Sequence, residues 1–189
     1  MRAAQTRDFT GLPNDSRVQQ LIHIVGCNHG IQVGMGGFTA LDSADQNEQR
    51  AHFRALLESI CENQAVKIVL EEDGAPEETA GEQIAAQRNI PWADINTSND
   101  DKVQMGIPID YVSGPYTEEQ KSNWNHQREL FMVGKVNEHR GQNASLLIIC
   151  GFVHMLPLAD ILEQDGTPIQ TRNYRNLDWY LPGVFAEDY

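Results

Sequence analysis

The sequence predicts an α/β protein: a mostly parallel sheet, with a mixed sheet as the alternative, flanked by helices on both faces. Three observations carry this. Short β-rich apolar runs alternate with stretches of helical spacing, in the order β-α-β-α-β-α-β-α-β. The runs LIHIV, VKIVL and SLLIIC are nearly continuous in apolar residues, as in strands covered on both sides. With 189 residues and 40% hydrophobic content, the chain can bury one sizeable core. It reads as one domain over 1–189, with an irregular arm over 1–19 and an aromatic tail over 173–189.

The elements follow in order. Gly11, Pro13 and Asn14 break up the arm. Leu21 to Val25 is the first strand, ending at Gly26, and a glycine-rich loop follows over Gly34 to Gly37. From Ala44 to Asn63, Phe53, Leu56, Leu57 and Ile60 fall on one helical face. Val66 to Leu70 is a buried-type strand ending in Glu71, Glu72, Asp73 and Gly74; Pro76 then opens a helix to about Arg88. Ile90 to Ile95 is a weaker strand, which Pro91 confines to an edge or a strand start. Residues 96–116 read as a long polar loop of the kind that often carries function. Thr117 and Gln120 form the capping-box signature of a helix over Glu118 to Arg140. Ser145 to Cys150 is the next buried strand, followed by a helix over about Met155 to Gln164 and a last strand near Thr167 to Thr171.

The charge narrows the partners. The net charge is −13; such a surface repels phosphate backbones and anionic lipid, so nucleic acid and membrane are not expected. Residues 1–20 lack an apolar signal core. The tract from Leu146 to Leu162 is interrupted by Gly151, His154, Pro157 and Asp160, so it does not read as a membrane span. Three cysteines without CxxC spacing argue against a disulfide scaffold, and the expectation is a cytoplasmic protein.

In open parallel sheets, ligands bind beyond the carboxyl ends of the strands. There the sequence places Gly26, Cys27, Asn28 and His29 after the first strand, Glu71, Glu72 and Asp73 after the second, Asp94 on the third, and Gly151 and His154 after the fourth. Parallel strands would bring these to one rim. Two imidazoles and several carboxylates there could bind a divalent metal, or divide base and acid roles. Period-two alternation sends only one of the adjacent glutamates into the cleft, and Glu71 is narrowly preferred to Glu72. Asp94 beside Asn96 and Thr97 reads as turn-shaping. Arg128 is either a surface ion pair with Glu129 or a cation reaching the glutamates or an oxyanion. His23 reads as core and His52, His126 and His139 as surface. Cys27 and Cys150 adjoin the Gly-His motifs, but as small buried residues rather than nucleophiles. GIQVGMGG lacks dinucleotide-loop spacing, and there is no Walker A lysine, GxSxG or HExxH.

Two GxxH motifs (Gly26-Cys-Asn-His29 and Gly151-Phe-Val-His154), the Glu71–Glu72 pair and Arg128 on a later long helix resemble the superfamily of Tiki/TraB proteins, erythromycin esterases and ChaN-like proteins. The resemblance spans about residues 21–171. It implies His29 and His154 as metal ligands or general bases, Glu71 and Glu72 as base or supporting groups, and Arg128 as the residue that orients them. The implied metal set is His29, Glu71 and His154 around Mn, Co or Zn, with haem as the other cofactor the superfamily suggests. The chain lacks the transmembrane segment of some members and the length of the esterases. The first expectation is a hydrolase of esters, lactones or peptides. The alternatives are a haem- or small-ligand-binding protein, suggested by Tyr111 and Tyr116, and an acidic interaction module whose aromatic tail docks a partner or a second copy as a homodimer.

Overall fold

The computed structural model describes residues 21–32, 44–72, 78–140, 144–164 and 166–182. The expected arm, the glycine-rich loop, residues 73–77 with the helix start expected at Pro76, and the end of the tail with Phe185 lie outside the described residues. Five strands form one all-parallel sheet: β1 (Ile22–Cys27), β2 (Val66–Glu71), β3 (Trp92–Asp94), β4 (Ser145–Gly151) and β5 (Ile169–Asn173). Their order across the sheet is β3-β2-β4-β1-β5. Helices cover both faces, as expected of strands that are apolar on both sides.

Side-chain alternation assigns the faces. Val25, Cys27, Val69, Leu147 and Ile149 point into a core closed by α2 (Ala44–Asn63) and α3 (Ala80–Arg88), with Phe53, Leu57 and Ile84 against them. Ile22, Ile24, Ile68, Leu70, Leu146 and Ile148 point to the other core, closed by α5 (Glu118–His139) and α6 (Phe152–Glu163) through Met132, Val136, Leu158 and Leu162. Period two therefore determines on which side each rim residue emerges.

The capping box of α5 forms as expected: Thr117 Oγ1 accepts from the Gln120 N–H and Gln120 Oε1 accepts from the Thr117 N–H. Three elements differ from expectation. The 96–116 segment holds a helix, α4 (Asn99–Gln104), started by a Ser98–Asp101 capping box inside a polar composition that reads as loop. A short helix, α1 (His29–Gln32), follows β1 directly. And α6 begins at Phe152, three residues early, with Gly151 as its N-cap; this sets His154 in its first turn. Pro157 lies inside α6 at its sixth residue, where it removes the N–H that would bond to the Val153 carbonyl. Among the described residues, no helix is long and apolar enough to cross a membrane.

His23 is buried, as expected of a core residue, and pairs in register with Gln170. Burial, then the Arg172 charge, holds its imidazole below the ordinary value; Gln170 works against this. A histidine with a depressed folded value costs stability once the unfolded chain takes up protons and the folded chain does not. His23→Leu is expected to gain stability over the parent as pH falls below about 6.5, measured by urea denaturation from pH 8 to pH 5. A stability difference independent of pH would contradict this.

Candidate functional site

The Arg128 guanidinium lies at the centre of the rim. On α5 the buried stripe runs through Arg128, Glu129, Met132 and Val136, so helical period carries both charged residues into the interior. A guanidinium has five N–H groups and no acceptor, and all five find partners. Nε donates to Thr97 Oγ1 (3.1 Å). Nη1 donates to the Tyr111 hydroxyl (2.6 Å) and to His154 Nε2 (3.3 Å). Nη2 donates to Glu72 Oε1 (2.6 Å) and to Asn96 Oδ1 (3.3 Å). With every N–H used inside the protein, Arg128 is a positioning residue.

Glu72 directly follows β2 and emerges on the α5/α6 face, in step with Ile68 and Leu70. It is 1% exposed. Oε1 takes the Arg128 ion pair and lies 3.7 Å from His154 Nε2; Oε2 accepts the Gly151 N–H at 2.8 Å. Burial pushes this carboxyl up. The charges of His154 and His29 when protonated, that of Arg128, and the Gly151 N–H outweigh it and hold Glu72 below the usual carboxylate range.

The His154 tautomer follows from its partners. Arg128 can only donate, so Nε2 accepts, and Nδ1 carries the hydrogen that Glu129 Oε1 accepts at 3.0 Å. His29 is oriented by a different group. Its Nδ1 lies 2.6 Å from Gln32 Oε1, while Gln32 Nε2 faces the Glu72 carbonyl oxygen at 3.5 Å. Nδ1 is therefore the donor, and Nε2 carries the lone pair. That Nε2 faces Gly151: a Cβ there would stand 3.3 Å from His29 Nε2, 3.4 Å from Glu72 Oε2 and 3.7 Å from His154 Cδ2. The glycine lets the two imidazoles and one carboxylate close around it. His29 is part-exposed and His154 is buried.

The preference for Glu71 is corrected. Glu71 points to the α2/α3 face, one step out of phase with Glu72. Its Oε2 accepts from Thr79 Oγ1 (2.5 Å) and Trp92 Nε1 (3.0 Å), packed against Gly81 at the start of α3. The metal set of His29, Glu71 and His154 is thus not assembled: Glu71 lies across the sheet, and Arg128 already takes His154 Nε2. Among the described residues, no group of three or more His, Cys, Asp or Glu side chains could hold a metal. The described residues do not assemble a site for Mn, Co or Zn. His154 Nε2, buried against Arg128, does not fit an axial haem ligand either.

Other expectations resolve as follows. Asp94 Oδ1 accepts the Asn96 N–H, shaping the turn as expected. All three cysteines are buried thiols, and burial, then the Glu72 and Glu129 charges, push Cys150 well up. The sequence reading missed Glu129, Thr97 and Asn96 as site members and cited Tyr111 only as a hint of haem or small-ligand binding. Continuing the Met132–Val136 stripe one turn back would have found Glu129. Asn96 and Thr97 carry no signal beyond turn chemistry.

No family model, curated protein or solved structure matches this chain, so membership of the superfamily named above stays a proposal.

Removing one partner of a buried ion pair strands the other. Arg128→Met is expected to cost about 3–5 kcal/mol, and Glu72→Gln in that background to recover part of it, a coupling of more than ~1 kcal/mol by urea denaturation. Additive effects would contradict the pairing. Because its folded value is depressed, the stability Glu72 contributes is complete above the ordinary carboxylate value of about 4.3 and is lost as pH falls through the lower folded value. Glu72→Gln should remove that acid-side loss.

Proposed function

We propose that this chain is a hydrolase of an ester, lactone or peptide bond, with His29 as general base. The observation that carries the reading is the orientation of His29: Nδ1 is engaged by Gln32 and the basic Nε2 faces Gly151, beside an ionised Glu72. A neighbouring carboxylate supports the imidazolium that forms when the ring takes a proton.

In the proposed step a water held at Gly151 gives its proton to His29 Nε2 as its oxygen bonds to the carbonyl carbon. The carbonyl oxygen takes the negative charge. Collapse of this intermediate breaks the bond to the alcohol or amine, which leaves with the proton from His29. For the oxyanion, the proposed donors are the N–H groups of the first turn of α6 beyond Gly151, whose own N–H is taken by Glu72 Oε2. Arg128 has no N–H to spare for that charge; it holds Glu72, Tyr111 and His154 in register. The two GxxH motifs support the same reading, and no step passes through a metal or haem.

The test is a panel of esters, lactones and short peptides assayed with parent and His29→Gln protein. A loss of about 10²–10⁴-fold, with unchanged circular dichroism, is expected. Equal rates in the two proteins would overturn the proposal.

A further inference from the structure

Beside the site lies a cleft of about 820 Å³ between α5, α6 and residues 111–113, within the range of small-ligand pockets. The site described above does not use it, yet two shared residues join them. Tyr111 lines the cleft and accepts from Arg128; Glu129 lines it and accepts from His154.

Glu129 is buried, 4% exposed, and its Oε1 is engaged by His154. Its Oε2 lies 3.7 Å from Nδ1 of His126, which pairs with it when that ring is protonated and also lines the cleft. A carboxylate on the cleft wall can also receive a cation from the cleft side. The charged lining is Glu118 and Glu129 against Lys121, whose ammonium lies 3.6 Å from Glu118, with His126 as the other titratable group; the chain carries −13 overall, so the field disfavours anions. The apolar lining is Val112, Val153 and Pro157. The two valines are 42% and 39% exposed, an apolar surface that a ligand could cover.

We infer that this cleft is a binding site for a cationic amphiphile: an ammonium or protonated amine on Glu129, and an apolar body against Val112, Val153 and Pro157. As a substrate subsite it rests on the hydrolase reading; as a binding site it does not.

The test uses three probes of matched size, phenethylammonium, 2-phenylethanol and phenylacetate, titrated at pH 8 by calorimetry and by NMR shifts of cleft residues. The ammonium is expected to bind at least tenfold tighter than the alcohol, with phenylacetate weakest. Glu129→Gln is expected to erase the ammonium advantage. Val153→Arg, at a part-exposed position outside the hydrogen-bonded cluster, is expected to weaken the ammonium at least tenfold with the fold intact. Equal binding of the three probes, or a preference that survives both variants, would overturn the site. A paired assay separates the two proposals. An amine-bearing ester is expected to show a lower KM than its neutral isostere. Turnover without that preference sinks the subsite alone; ammonium binding without turnover of any ester sinks the hydrolase alone.

Discussion

One guanidinium holds the rim together. Arg128 reaches the end of β2 through Glu72, the turn before α4 through Asn96 and Thr97, the loop after α4 through Tyr111, and α6 through His154. A planar fork of five donors suits this task, where a lysine ammonium would offer three rotating ones. Burying such a pair adds little net stability, because desolvation consumes most of the attraction. What it supplies is geometry: Glu72 and His154 cannot shift independently while both are bound to one rigid group.

The adjacent glutamates show how a one-residue step separates two tasks. Glu71 joins Thr79 and Trp92, tying the start of α3 to β3. Glu72 accepts the Gly151 N–H at the start of α6, where the helix dipole favours a negative charge. Each carboxylate fastens a helix start on its own face of the sheet. Only the second of these helices carries an imidazole, which is why Glu72 and not Glu71 belongs to the candidate site.

Strands were the most legible elements. LIHIV, VKIVL and SLLIIC each became a buried strand, because long apolar runs in parallel sheets have few other ways to be covered. Helix α2 was readable from its apolar face, and α5 from its caps. α4 was not: its six residues bury nothing, so no periodicity marks them, and a polar stretch held by one capping box looks like loop. His29, Glu72, Arg128 and His154 were readable as candidates from their places after strands and on the long helix. Glu129 was not, since a glutamate beside an arginine on a helix is ordinarily a surface residue.

The chain order of its apolar runs already pointed to a mostly parallel sheet, and with it a common rim for groups as distant as His29 and His154, since parallel strands end on the same side. The folded molecule alone settled which glutamate joined them and what Arg128 touched. Those outcomes depend on side-chain phase relative to a particular helix layer and on five simultaneous hydrogen bonds, and such relations exist only when all the partners are in place.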